Sequence, residues 1–159
     1  MKSLKEAQDT IEAISIDQLK TLLKQPNQRT YAGVRDYVLM ILLADIGMRI
    51  SEVLNFQLED IDFKTNVIKL KGTNTKNRKT QYVPIPPKTS KLIRELIVEI
   101  EKFNTLQIFA TVYRNIIFPT RFRQRLKTYG NNAGVKEVRV SLTLSDIHLQ
   151  STICLTMLM

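Results

Sequence analysis

Two spacings of apolar residues organise the chain, one helical and one extended. Ser15-Ile16-Asp17-Gln18 has the form of a capping box, with Gln three residues after Ser. It opens a helix that turns Leu19, Leu22 and Leu23 inward, and Gln25-Pro26-Asn27-Gln28 ends it. A second helix is predicted from about Val34 to Ile46. Its stretch from Tyr37 to Ala44 has so little polar surface that it should be buried. Gly47 ends that helix cheaply because it tolerates the left-handed conformation. A third helix covers about Ile50 to Phe56.

The period then changes. Leu58 to Phe63 reads as a helix-to-strand turn leading into Val67-Ile68-Lys69-Leu70, which alternates apolar and basic. Gly72 to Thr80 is a polar turn region and Gln81 to Ile85 a return strand, together a basic β-hairpin. After Pro86-Pro87 an amphipathic helix carries Leu92, Ile93, Leu96, Ile97 and Ile100 on one face. Ile116-Ile117-Phe118 reads as short and extended. A basic helix from Thr120 to Tyr129 is anchored by Phe122 and Leu126, and the Gly130 to Gly134 stretch closes it. The predicted fold class is mixed α/β, mainly α, with one small antiparallel hairpin or sheet.

Composition narrows the setting. A chain of 159 residues with 43% hydrophobic content supports one domain with a real core. The longest apolar run, Tyr37 to Ala44, is far short of the roughly 18 residues of a membrane span. The first residues lack the apolar segment of a secretory signal. Cys154 is the only cysteine and fits a reducing interior, so a cytoplasmic protein is expected.

Charge changes the picture more. The formal net charge is +9, unevenly laid out. Seven Lys/Arg and no carboxylate lie from Lys64 through Lys88, and the same holds from Lys102 through Lys136. Acidic residues concentrate between Glu6 and Asp62. Segregated positive charge is the footprint of a polyanion-binding face, most often nucleic acid. The expected partner class is therefore nucleic acid, which the family resemblance given below narrows to double-stranded DNA, with no membrane and no small-molecule substrate. Glu59, Asp60 and Asp62 could suggest a metal site but lack convergent partners, so no metal is expected and a turn is the better reading.

The densest chemistry sits in Asp45-Ile46-Gly47-Met48-Arg49-Ile50-Ser51-Glu52-Val53-Leu54. Arg49 emerges between two apolar segments, and a guanidinium there is costly unless something anionic meets it. Its planar fork of donors suits a phosphate. Glu52, three residues on, shares the helical face and supports the site either by orienting Arg49 or by satisfying nearby backbone.

Ile46-Gly47-Met48-Arg49-Ile50-Ser51-Glu52, then Leu54, then Leu58-Glu59-Asp60-Ile61 resembles the first catalytic-arginine segment of the tyrosine recombinase (phage integrase) family. That segment runs roughly Thr-Gly-Leu-Arg-Ile-Ser-Glu, then Leu, then Leu-x-x-x-Asp-Ile. The resemblance implies the DNA breaking-rejoining catalytic core and its chemistry. In that family two arginines grip the scissile phosphate, a hairpin lysine protonates the leaving 5′ oxygen, and a tyrosine forms a 3′-phosphotyrosine assisted by one or two histidines. No cofactor is needed, because the phosphotyrosine stores the bond energy.

By this resemblance Arg49 is the first arginine and Lys76 the hairpin lysine, eight residues before Pro84 in Tyr82-Val83-Pro84-Ile85, which matches the family's return strand. Lys71, Arg78 and Lys79 compete with Lys76, and they join Arg121, Arg123 and Arg125 as expected DNA contacts. Ile117-Phe118-Pro119, Phe122-Arg123, Leu126 and Ala133-Gly134-Val135 resemble the segment before the family's His-x-x-Arg box. That box should follow Val138 to Ser141, but Thr143 and Asp146 stand at its positions. Neither can donate like His or grip phosphate like Arg. His148 is the only histidine, has Ser151 three residues on, and does not rebuild the box. Tyr113 and Tyr129 precede the box, whereas the family's nucleophile follows it.

The genetic code accounts for the missing box. Leu142 to Gln150 can be encoded as CTC ACA CTT TCA GAC ATA CAT TTG CAA. With one C restored in front, the same bases spell Pro-His-Thr-Phe-Arg-His-Thr-Phe-Ala, which is the family's box. The expected organisation is a lead-in over 1–13, a partial catalytic domain over 14–141 and an out-of-frame tail over 142–159, with no room ahead for the family's DNA-clamping domain. The expected function is an integrase fragment that binds DNA without cutting and rejoining it. One alternative is a regulatory fragment that occupies recombination sites or pairs with a full-length recombinase protomer. In another, a partner supplies the tyrosine in trans.

Overall fold

A computed structural model describes residues 15–46, 48–72 and 79–135. Gly47, Lys76, Arg78, His148 and the segment expected to hold the altered box lie outside the described residues. The elements in chain order are α1 (Ile16–Leu23), α2 (Tyr31–Ile46), α3 (Ile50–Leu54), a 3-10 turn (Leu58–Asp60), β1 (Ile61–Asp62), β2 (Val67–Leu70), β3 (Gln81–Pro84), α4 (Pro87–Glu101) and α5 (Pro119–Asn132). The mainly helical class with a small antiparallel sheet is as the spacing predicts.

Helix α1 opens on the predicted capping box. Ser15 Oγ accepts from the Gln18 N–H at 3.2 Å, and Gln18 Oε1 accepts from the Ser15 N–H at 2.9 Å. Helix α2 begins nearly a turn earlier than the apolar pattern suggests. The reason is local: the Thr30 hydroxyl accepts from the Gly33 N–H at 3.1 Å and donates to the Asn27 carbonyl at 2.9 Å. A Cβ at Gly33 would stand 1.8 Å from the Asn27 carbonyl oxygen, so only glycine lets the preceding loop lie against this helix.

From Val38 to Ala44 every residue of α2 is at most 2% exposed. The helix is buried around its whole circumference, packed on one side by α1 and on another by α4. Burying a seven-residue run this completely sets the position of everything at its two ends. Helix α3 ends at Leu54, short of the expected Phe56. There Asn55 stops it by donating its side-chain amide to the Ser51 carbonyl at 2.8 Å.

The predicted hairpin is the larger part of a three-stranded antiparallel sheet of order β1-β2-β3. Ile61 pairs with Ile68 and Asp62 with Val67, while Lys69 faces Tyr82 and Leu70 faces Gln81. Ile61, Ile68 and Leu70 are buried on one face, and Lys69 and Tyr82 stand on the exposed face. Strand β1 is only two residues long, too short to show a period of two, which is why the alternation in the sequence reveals a hairpin and not a sheet.

Helix α4 turns Ile93, Leu96 and Ile100 into the core. Helix α5 packs on α3 and buries Phe122, Leu126 and Gly130. The expected stop at Gly130 is corrected: the helix runs on to Asn132. Gly134, at φ +74°, provides the left-handed residue, and the Val135 N–H closes back on the Gly130 carbonyl at 2.8 Å. No helix among the described residues is long and apolar enough to cross a membrane.

Candidate functional site

Arg49 immediately precedes α3, in extended conformation at φ −72° and ψ 144°. Met48 and Ile50 on either side of it are buried, at 7% and 1% exposure, while Arg49 itself is exposed. Its anchoring is therefore apolar and its head group is left in solvent. Glu52 does not pair with the guanidinium. Glu52 Oε2 instead accepts from the backbone N–H of Arg49 at 3.1 Å. Of the two supporting roles open to Glu52, the structure shows the backbone one. Among the described residues nothing hydrogen-bonds to the Arg49 guanidinium or forms an ion pair with it.

Behind this junction, Asp45 accepts a hydrogen bond from the Thr89 hydroxyl of α4. That contact ties the C-terminal end of α2 to the neighbouring helix. It holds the chain firmly just before Arg49.

The hairpin arm is less uniformly basic than its sequence suggests. Lys71 Nζ lies 2.5 Å from Glu59 Oε1 and 3.3 Å from Asp60 Oδ1. The hydrogen bond from Lys71 draws the Glu59 carboxyl below its ordinary pKa, and the bonds to Glu59 and then Asp60 push the Lys71 ammonium up. The other carboxylates of this cluster serve turns. Asp60 Oδ2 accepts from the Gln57 N–H at 2.9 Å, and Asp62 Oδ1 accepts from the Lys64 N–H at 2.9 Å. Among the described residues no group of His, Cys, Asp and Glu converges as a metal ion requires. Lys79 stands exposed just before β3.

A second cationic centre was not legible in the pattern. Asp36, fully buried in α2, is the hub on which three side chains converge. Arg35 donates to its Oδ1 through Nε at 3.1 Å and Nη2 at 3.0 Å. Arg125 of α5 donates through Nη1 to Oδ2 at 3.1 Å and to Oδ1 at 3.4 Å. The Tyr129 phenol donates to Oδ2 at 2.7 Å. Arg35 also donates through Nη1 to the Ala110 carbonyl at 3.2 Å, an oxygen shared with the Tyr31 phenol at 2.9 Å. Burial and the bond to Asp36 push the Tyr129 phenol well above the usual tyrosine range, so it is a held donor and not an activated nucleophile. The signal available in the sequence was the spacing of Arg125 and Tyr129, four apart and so on one helical face. What they converge on is set by packing.

The three arginines expected as DNA contacts on α5 are consequently not equivalent. Arg121 and Arg125, four apart, flank one side of the buried stripe of Phe122 and Leu126. Arg123 and Lys127 flank the other side. The first pair opens, with Arg35, onto a cleft of about 610 Å³ against the 111–118 loop. Tyr113 is 81% exposed on the rim of that cleft.

Comparison with known proteins places this geometry. The profile described as the phage integrase family matches residues 12–152, a span that runs past Ser141. The chain is 30% identical over 115 residues to the tyrosine recombinase XerC of Chlamydia caviae, covering 72% of this chain and 34% of the relative. It is 24% identical over 139 residues to the tyrosine recombinase XerD of Haemophilus ducreyi, covering 82% of this chain and 44% of the relative. The chain thus spans between a third and a half of the length of these relatives. Among solved structures, the XerA recombinase superposes with a TM-score of 0.75 at 18% identity, over 90% of this chain and 51% of the other. The XerH site-specific recombinase bound to its difH substrate superposes with a TM-score of 0.71 at 15% identity, over 86% of this chain and 40% of the other. With the arginine motif in place, the fold shared and most of its length matched, the chain belongs to the phage integrase family of site-specific tyrosine recombinases.

Proposed function

We propose that this chain engages duplex DNA through the Arg49 junction and the basic hairpin, and that on its own it does not complete strand transfer. The observation that carries the first half is the state of Arg49. Its guanidinium is exposed on a buried apolar footing and has no acidic partner among the described residues. A cation left uncommitted in this way is available to a phosphate at no cost in broken ion pairs. The related XerH structure carries its difH substrate, which supports the same kind of partner here. Lys76 is assigned the leaving-group role on the strength of its motif position. Lys71, Arg78, Lys79 and Arg123 are assigned to backbone contacts, and Lys71 must leave Glu59 to make one. Arg121 and Arg125 turn to the other flank of α5.

The second half rests on Thr143 and Asp146, which occupy the positions of the family's histidine and second arginine. Residues that act as a unit lose most of their rate when one is removed, and here several are replaced. In this reading 14–141 is the partial catalytic domain and 142–159 a segment read in a shifted frame. Pairing with a full-length recombinase protomer is the regulatory form of the same proposal.

Two measurements test it. Duplex binding followed by fluorescence anisotropy should weaken steeply with salt, and a suicide substrate should yield no covalent adduct. An adduct formed by this chain alone overturns the inactive reading. Absence of any binding at low salt overturns the DNA reading. Sequencing the gene around the Ser141 codon tests the frame: if no single-base insertion there restores the box and a downstream tyrosine, the shifted frame is wrong.

A further inference from the structure

At the root of the hairpin one lysine stands between two carboxylates that are not alike. Lys71 directly follows β2, just ahead of the turn region that carries Lys76 in the sequence. Its ammonium lies 2.5 Å from Glu59 Oε1 and 3.3 Å from Asp60 Oδ1. The Asp60 side chain is only 4% exposed, and its Oδ2 is already committed to the Gln57 N–H at 2.9 Å. A buried carboxylate needs a counter-charge, and Lys71 is the one cation that pairs with it among the described residues. The Asp60 contact therefore belongs to the fold.

Glu59 has no such need. Its side chain is 68% exposed, so water can solvate its charge, and among the described residues its carboxylate accepts a hydrogen bond from Lys71 alone. An ion pair this open contributes little to folding. Lys71 does not require it either, because Asp60 already balances the ammonium. The pair is nevertheless built in: the antiparallel register of β1 on β2 brings the 3-10 turn alongside the end of β2. The hydrogen bond from Lys71 holds the Glu59 carboxyl below its ordinary pKa, so this partner is ionised throughout the neutral range.

An exposed carboxylate seated on such a lysine acts against an arriving phosphate in two ways. It occupies an ammonium that the phosphate would use, and its own charge repels the nucleic-acid backbone. We infer, on the DNA reading proposed above, that Glu59 is a built-in competitor of the DNA phosphate for Lys71 and sets how tightly the hairpin arm holds a duplex. The Lys71 side chain is 38% exposed, which leaves the ammonium open to a second anion. The exchange is one anion for another: a phosphate displaces Glu59 while Asp60 keeps its counter-charge, so the root of the hairpin is not disturbed. Glu59 thus lowers affinity without serving the fold, and its penalty shrinks as salt screens it.

The full chain is titrated into a fluorescein-labelled short duplex at about 50 mM salt and again at about 300 mM. Glu59→Gln should bind about three- to fivefold more tightly at the lower salt, the scale of an exposed ion pair, and the gain should fade at the higher. Its melting temperature should stay within about 2 °C of wild type. Asp62→Asn is the control for net charge: it makes the same charge change on the same turn, but the carboxylate it removes is bonded to the Lys64 N–H and does not touch Lys71. It should gain less than about twofold. A third background, Asp60→Asn with Lys71→Gln, removes the buried charge together with its partner, and there Glu59→Gln should do no more than Asp62→Asn. Equal gains from Glu59→Gln and Asp62→Asn would reduce the effect to net charge and overturn the proposal. A gain that survives the loss of Lys71 would overturn it too, as would a marked fall in the melting temperature of Glu59→Gln. Duplex binding by wild type with no gain in Glu59→Gln sinks this inference alone, whereas no binding by either protein at low salt sinks the DNA reading and this inference with it.

Discussion

Arg49 and Arg125 are both exposed arginines in a basic chain, yet the protein treats them in opposite ways. Arg49 rises from a floor of buried Met48 and Ile50 and has no acidic partner among the described residues. Arg125 is moored to a carboxylate that is itself fully buried and held by Arg35 and Tyr129. An uncommitted guanidinium contributes little to folding and is free to meet a ligand. A moored one is part of the fold. The lesson is that counting arginines on a surface does not identify binding groups; their existing partners do.

The sharpest way to break this contrast is to remove the mooring. Asp36→Ala leaves Arg35 buried without its counter-charge and should destabilise the protein by about 3–5 kcal/mol in chemical denaturation. A loss under about 1 kcal/mol would mean that water reaches Arg35 and that the network is not structural. Gly33→Ala comes next, because a methyl group would collide with backbone at Asn27 and not with a side chain that can swing away. A cost of about 1–3 kcal/mol is expected by thermal melting.

Tyr129→Phe removes one donor from Asp36 and should cost about 1 kcal/mol. It also carries a pH signature. The folded phenol has its pKa raised, so its contribution is complete below the unfolded value of about 10 and declines as pH rises through the folded one. Wild type should therefore lose stability above about pH 10 more steeply than Tyr129→Phe does. Parallel pH profiles would show that the bond to Asp36 is absent in solution. Smallest of all, Arg49→Ala should change stability by less than about 0.5 kcal/mol while weakening duplex binding modestly, since many basic groups share the phosphates. Collapse of the fold in this variant would make Arg49 a structural residue and dissolve the comparison.

Much of the fold could be read directly from residue order. The capping box at Ser15, the all-apolar run of α2 and the stripe of α4 are local signals, and each element stands where its pattern indicates. What the sequence hid was decided over distance. The early start of α2 depends on a loop folding back onto Gly33, and β1 is too short to show alternation. The site was half legible in the same sense. Arg49 announces itself through its motif, but Arg35 and Asp36 lie seventy-five and eighty-nine residues from the groups they hold at Ala110 and Arg125. No window along the chain contains both ends of such a contact. Lys71 reads as one more cation until the sheet brings Glu59 beside it.

Helix α2 joins these two arginine regions physically. The network of Asp36 sits near its N-terminal end, and Arg49 follows shortly after its C-terminal end. At 1.5 Å per residue the ten residues from Asp36 to Ile46 measure about 15 Å. A helix enclosed on all sides and clamped at Asp36 and Asp45 behaves as a stiff rod: it can slide or tilt as a unit but hardly bend. The two arginine regions therefore share one buried helix as their common support, with the Asp36 network near one end and Arg49 just past the other.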